Sequence, residues 1–73
     1  MTDAINPTHY KAGGVETIDF LRAKLTPEEF AGFCKGNVIK YLSRAELKGG
    51  AEDYRKAAWY ASWLAGTDPR TLP

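Results

Sequence analysis

One cysteine and one histidine in a 73-residue chain leave few ways to staple a small fold. Cys34 has no second cysteine in the chain to pair with, so an intrachain disulfide is excluded. His9 and Cys34 together are too meagre a set of soft ligands for a tight zinc site, and no metal is expected. No stretch approaches the ~18 consecutive apolar residues of a membrane span. Neither sign of charge predominates: 10 Lys+Arg stand against 9 Asp+Glu, a formal net charge of +1. That balance argues against non-specific nucleic-acid binding, which rests on a strong basic excess. It leaves room for a small anion held by a local cluster. Met1 to Asn6 lacks the basic and apolar regions of a secretory leader, and a lone free cysteine suits a reducing compartment. Both features predict the cytoplasm.

The length allows one domain, and a chain this short buries only about 60% of its unfolded surface. Without a disulfide or a metal, self-association is the remaining staple. Tyr41, Tyr54, Trp59, Tyr60 and Trp63 crowd the second half, more large side chains than three short helices cover alone. A homo-oligomer is therefore expected.

Residues 1–14 read as an N-terminal arm without a regular element, because Asn6-Pro7 favours a turn and Gly13-Gly14 breaks any early helix. From Val15 to Leu25 the apolar residues Val15, Ile18, Leu21 and Leu25 recur at helical steps. Thr26-Pro27-Glu28-Glu29 is a helix start: Thr26 caps, Pro27 fits the first turn, and Glu29 completes a capping box. The helix it opens is predicted to run to about Leu47; Gly32 and Gly36 weaken it enough to allow a bend or break near Gly36, and Gly49-Gly50 stops it. A last helix spans Ala51 to Ala65, with Glu52 and Asp53 in its first turn, where acids suit the helix dipole. Residues 67–73 read as a loose tail. The predicted fold is all-α: an arm (1–14), a three-helix domain (15–66) and a tail.

At about 100° per residue, Asn37, Lys40, Tyr41, Arg44 and Lys48 fall in one quadrant of the second helix. Beside them Cys34, Val38, Leu42 and Ala45 form the apolar stripe that must face the core. The polar quadrant thus lies half sheltered, where a cation binds phosphate more strongly than on open surface. Arg44 offers a planar fork for phosphate oxygens, the lysines act as point charges, Asn37 both donates and accepts, and Tyr41 offers a ring for a base. The plainer alternative is that the cations only lay their stems over the apolar stripe.

Asp53, Lys56 and Tyr60 repeat the pattern faintly on the last helix, where Glu52 and Lys56 also form an ordinary i, i+4 pair. Trp59 and Trp63, four apart, suit a core or a subunit contact better than a ligand stack. His9, in the run His9-Tyr10-Lys11, titrates near neutrality and gains a role only if the arm closes over the polar quadrant. Glu16 and Asp19 read as an exposed acidic face, able at most to hold a cation or act as a base. Cys34 reads as a small packed hydrophobe. There is no GxxxxGK[ST] phosphate loop, and no nucleophile–base set from which to assign a catalytic residue.

Asn6-Pro7-x-His9-Tyr10-Lys11, followed by Gly14-Val15-Glu16-x-x-Asp19-Phe20, resembles the opening of a widespread phage family. Gly36-Asn37-Val38-Ile39-Lys40-Tyr41-Leu42-x-Arg44-Ala45, then Lys48 and Glu52-Asp53-x-x-Lys56-Ala57-x-Trp59-Tyr60, resembles its core signature. The family is the small phage domain termed nucleotide-kinase-like, or SaV-like, and the likeness covers about residues 6 to 64. It implies a nucleotide as ligand or substrate, no permanently bound cofactor, and the cytoplasm of the infected bacterium. It implies ligand groups on Asn6, His9, Tyr10, Asn37, Lys40, Tyr41, Arg44, Lys48, Asp53 and Lys56. One larger phage member acts as a kinase on deoxynucleoside monophosphates, whereas this chain is close to the bare shared domain.

Two functions from different classes follow. One is phosphoryl transfer to a nucleoside monophosphate, which needs two nucleotides held in line and hence a site between subunits, with His9 or a carboxylate assisting proton movement. The other is an anti-defence protein that sequesters a nucleotide signal, such as a cyclic one, without turnover. A weaker third is a DNA-contacting helix carrying Lys35, Lys40, Arg44 and Lys48, which the near-neutral charge disfavours.

Overall fold

The computed structural model describes the backbone of residues 11–12 and the whole of residues 15–71. Asn6, His9 and Tyr10 lie outside the described residues. The chain opens with a minimal antiparallel pair, β1 (Lys11–Ala12) against β2 (Val15–Glu16), in the register Lys11↔Glu16 and Ala12↔Val15. The strand pair stands where no regular element is expected before residue 15, and the first helix begins at Thr17, not at Val15. β-Branched Val15 suits a strand. Helix α1 (Thr17–Lys24) follows, then α2 (Pro27–Arg44), α3 (Gly50–Leu64) and a short 3₁₀ helix (Pro69–Thr71).

The start of α2 is set locally. Thr26 Oγ1 accepts from the Glu29 N–H at 3.1 Å, and the Thr26 N–H donates to Glu29 Oε1 at 2.9 Å. This is the expected reciprocal cap with Pro27 in the first turn. The helix runs unbroken through Gly36, without the bend allowed there, because space beside that glycine is open and nothing wedges the ladder. It stops being α-helical at Arg44, three residues before Leu47, and widens into a π-helical turn over Ala45–Gly49. Gly50 then reverses the chain at φ 57°, ψ −143°, a combination that side chains disfavour.

The reversal folds α3 back along α2, and the core lies between them with Ile18 of α1 added. Ile18, Cys34, Tyr41, Ala57, Trp59 and Tyr60 form the buried cluster, and Phe30, Phe33, Val38 and Trp63 pack around it. The aromatic rings cover one another within the chain. Trp59 meets Tyr60 and Trp63 edge-on at centroid distances of 5.1 and 5.8 Å, and Phe30 meets Trp63 edge-on at 5.9 Å. The crowding that suggested self-association is therefore largely met inside one chain, although Tyr54 stays exposed. One phase assignment is corrected: Leu42, expected on the core face, is exposed, while Tyr41 is buried. The larger ring finds a partner in Tyr60 of α3, stacked at 6.0 Å and 11°, and wins the inward position because it buries more surface.

The tail is not loose over its described part. Arg70, in the 3₁₀ helix, donates from Nη1 and Nη2 to the two Asp19 carboxylate oxygens, each at 2.9 Å. It also bonds Asp68, with Nη2 to Oδ2 at 2.8 Å, and lies 3.6 Å from Glu16 Oε1. Its guanidinium sits 5.3 Å from the centroid of the Trp63 ring. The acidic pair Glu16 and Asp19 thus holds an internal cation, the guanidinium of Arg70.

Candidate functional site

The junction of α2, the π turn and α3 gathers the charged residues singled out above. Tyr41 is its floor. Lys40 Nζ lies 4.3 Å from the centroid of that ring, and Arg44 Cζ and Lys56 Nζ each lie 5.5 Å away. Beneath them is Asp53, with 1% of its surface exposed. Arg44 Nε stands 3.3 Å from Asp53 Oδ2, and Lys56 Nζ stands 3.9 Å from Oδ1 and 3.6 Å from Glu52 Oε1.

Two features of Asp53 are unusual. No described residue offers its Oδ2 a hydrogen bond, so the Arg44 contact is an ion pair without hydrogen-bond alignment. A buried carboxylate normally collects several donors. Gly49 also lies so close that a Cβ added there would overlap the Asp53 carboxylate. The π turn carries that glycine down onto the acid.

Of the predicted ligand groups, Lys40, Tyr41, Arg44, Asp53 and Lys56 come together. Lys48 is exposed on the π turn and, like Lys40, has no ion pair with the described residues. Asn37 donates one of its two side-chain N–H groups to the Phe33 carbonyl at 2.9 Å, one turn back along its own helix, and keeps the second N–H and its oxygen. One expectation is corrected. Tyr41 is largely buried against Tyr60, so its ring is a floor for cations and not an open platform for a base. Burial, and then the neighbouring Tyr41 and Cys34, push the Tyr60 hydroxyl well above the ordinary tyrosine range, which leaves it a neutral packing group.

The sequence reading missed a second feature. A cleft of about 350 Å³ opens near the start of α2, lined by Arg22, Leu25, Phe30, Cys34, Trp63 and Leu64 among others. None of the predicted ligand residues lines it. Cys34 precedes Arg44 by ten residues, or about 15 Å of helix. Arg22 lies 4.8 Å from the Trp63 ring centroid, a contact between α1 and α3 that periodicity within either helix does not signal. Burial raises the Cys34 thiol to about 11, consistent with a packed hydrophobe. Among the described residues no group of three His, Cys, Asp or Glu is placed to hold a metal, and no helix is long and apolar enough to cross a membrane.

A helical hairpin braced by a short first helix, with cations gathered over a buried acid, defines a small, predominantly helical protein. The chain belongs to the DUF3310 family, described as a protein of unknown function, whose profile matches residues 5–62. It is 39% identical over 64 residues to the "Gene 1.7 protein" of Enterobacteria phage T3, a match covering 81% of this chain and 39% of the relative. It is 37% identical over 59 residues to "Nucleotide kinase gp1.7" of Escherichia phage T7, covering 74% of this chain and 30% of the relative. The chain thus spans under two fifths of the length of these phage relatives. No solved structure gives a significant match.

Proposed function

We propose that this protein binds a nucleotide or a nucleotide-derived phosphate in the cytoplasm of the infected bacterium, through the cationic ridge at the α2–α3 junction. The observation that carries the reading is the convergence of Lys40, Arg44 and Lys56 on one aromatic ring above one buried carboxylate. Surface cations ordinarily spread apart, since like charges repel. Three of them lie within 5.5 Å of the Tyr41 centroid, with Asp53 and Glu52 as the acids beside them, which leaves a net charge of +1 over a floor held away from water. Phosphate oxygens suit such a spot, with Arg44 supplying a fork and the lysines supplying charge. The name of the T7 relative, a nucleotide kinase, supports a nucleotide as the source of the phosphate.

The ridge is one cluster of cations, suited to the phosphates of one nucleotide. Phosphoryl transfer would need a second nucleotide aligned with the first, supplied by another copy or by a further domain. The reading is therefore binding first, with turnover a property of an assembly and sequestration of a nucleotide signal the non-catalytic alternative. Calorimetric titration with nucleoside mono-, di- and triphosphates and cyclic nucleotides tests it, beside incubation with ATP and each monophosphate. Binding that Arg44→Ala reduces at least tenfold is expected. Heat-silent titrations with every nucleotide would overturn the reading. Product formation would assign the kinase, and binding without product would assign sequestration.

A further inference from the structure

We infer that Asp53 is a positioning residue: it does not touch the phosphate but holds Arg44 by Nε, so that the two terminal NH₂ groups face outward. The inference rests on the phosphate-binding reading above and adds the device that orients its main ligand. Arg44 reaches Asp53 through Nε, at 3.3 Å to Oδ2, while its side chain remains 46% exposed. Nε is the guanidinium nitrogen recorded beside the acid, and neither terminal NH₂ group has a hydrogen bond with a described residue, which leaves both for a bidentate oxyanion. A carboxylate serving only to fasten α2 to α3 would be expected to take both Nη groups, as Asp19 takes those of Arg70 in this same chain. Asp53 does the reverse.

The other Asp53 carboxylate oxygen lies 3.9 Å from Lys56, a looser contact than the one to Arg44, and Lys56 is nearer to Glu52 at 3.6 Å. Two further observations agree. Oδ2 lacks a hydrogen bond although buried, which leaves Nε–H free to swing into alignment once an anion fixes the outer fork. Gly49 has no side chain where one would strike the carboxylate, so the π turn closes over Asp53 and keeps water from competing for it.

The test uses the full chain with inorganic pyrophosphate as probe, at constant ionic strength. Affinity is measured by calorimetry for wild type, Asp53→Asn, Arg44→Lys and the double variant, and the ¹⁵N NMR signal of Arg44 Nε–Hε is followed through the titration. Asp53→Asn is expected to weaken pyrophosphate at least tenfold with Arg44 present and less than twofold in the Arg44→Lys background. In wild type, pyrophosphate is expected to move the terminal NH₂ signals and to slow the exchange of Nε–Hε as it comes into line with Asp53. An Asp53→Asn protein that melts earlier but binds pyrophosphate as wild type does would overturn the inference and leave the phosphate reading intact. Equal losses in both backgrounds would do the same. Should Asp53→Asn not fold, the wild-type spectrum decides: deprotection of Nε–Hε on binding means that the anion displaces Asp53, against the inference. Absence of any pyrophosphate or nucleotide binding by wild type would remove the phosphate reading and this inference together.

Discussion

Gly49 and Asp53 are fitted to each other: the carboxylate of one fills the space that a side chain on the other would need. The two lie four residues apart, on either side of the point where the π turn becomes α3. Their fit explains how the chain places a buried acid under a pair of cations at a helix junction.

Gly49→Ala should therefore destabilise the protein, by about 1–3 kcal/mol as for an overpacked core position. Gly32→Ala and Gly36→Ala should do the opposite. Both glycines lie inside α2 with open space beside them, and alanine is about 1 kcal/mol better than glycine in a helix interior. Thermal melts of the three variants check the contrast. A Gly49→Ala protein as stable as Gly36→Ala would mean that the Asp53 carboxylate swings aside without loss.

The fold was legible where its causes are local. The Thr26–Glu29 cap, the helical period of α2 and α3 and the packed Cys34 each depend on residues a few positions apart. The Arg70 clamp was not legible, because Asp19 and Arg70 are 51 positions apart and their bond depends on how the tail crosses α1. Tyr41 and Leu42 sit on adjoining edges of the core face, and only Tyr60 on another helix decides which turns inward. The helical wheels show Lys40 and Arg44 together on α2, and Lys56 beside Asp53 on α3, but not that the two groups meet, which depends on how α3 folds back. The role of Gly49 was not legible, since Gly49-Gly50 reads simply as a helix stop.

Arg70 makes stability depend on acid. Hydrogen bonds from its guanidinium, the largest effect at both sites, hold Asp19 and Asp68 below the ordinary carboxylate range. Groups with depressed values stabilise the folded state fully above the unfolded pKa, about 3.9, and lose that contribution as pH falls through the folded values. The melting temperature should thus drop more steeply below about pH 4 in wild type than in Arg70→Met. Near pH 7 the variant should melt about 4–8 °C lower, if this half-exposed cluster contributes ~1 kcal/mol. Parallel melting curves from pH 6 to pH 2 for the two proteins would contradict the clamp.

Cys34 should be nearly inert in the folded protein. With its thiol raised to about 11 by burial, roughly one molecule in a thousand carries thiolate at pH 8, against about a quarter for a free cysteine. Labelling with an aromatic disulfide reagent should run at least a hundredfold slower in buffer than in guanidinium chloride. Fast labelling of the native protein would mean that the cleft beside Cys34 opens to the reagent.

Self-association, if it supplies the missing staple, should use α2. Ile39 and Leu42 are 59% and 44% exposed, and lie three residues apart on one side of the helix. An exposed aliphatic pair of this kind, on a domain with little core to spare, gains from burial against a second copy at ~25 cal/mol per Å². Light scattering of wild type should give a multiple of 8.1 kDa. An Ile39→Glu, Leu42→Glu double variant should give the single-chain mass while keeping its helical circular dichroism, because neither side chain belongs to the buried cluster. Nucleotide affinity then separates the two functional classes. A ridge complete within one chain keeps its affinity in the double variant, whereas a site built between copies loses it along with any transfer activity. A wild-type mass of 8.1 kDa at 100 µM or above would remove the oligomer and, with it, the route by which this chain alone could align two nucleotides.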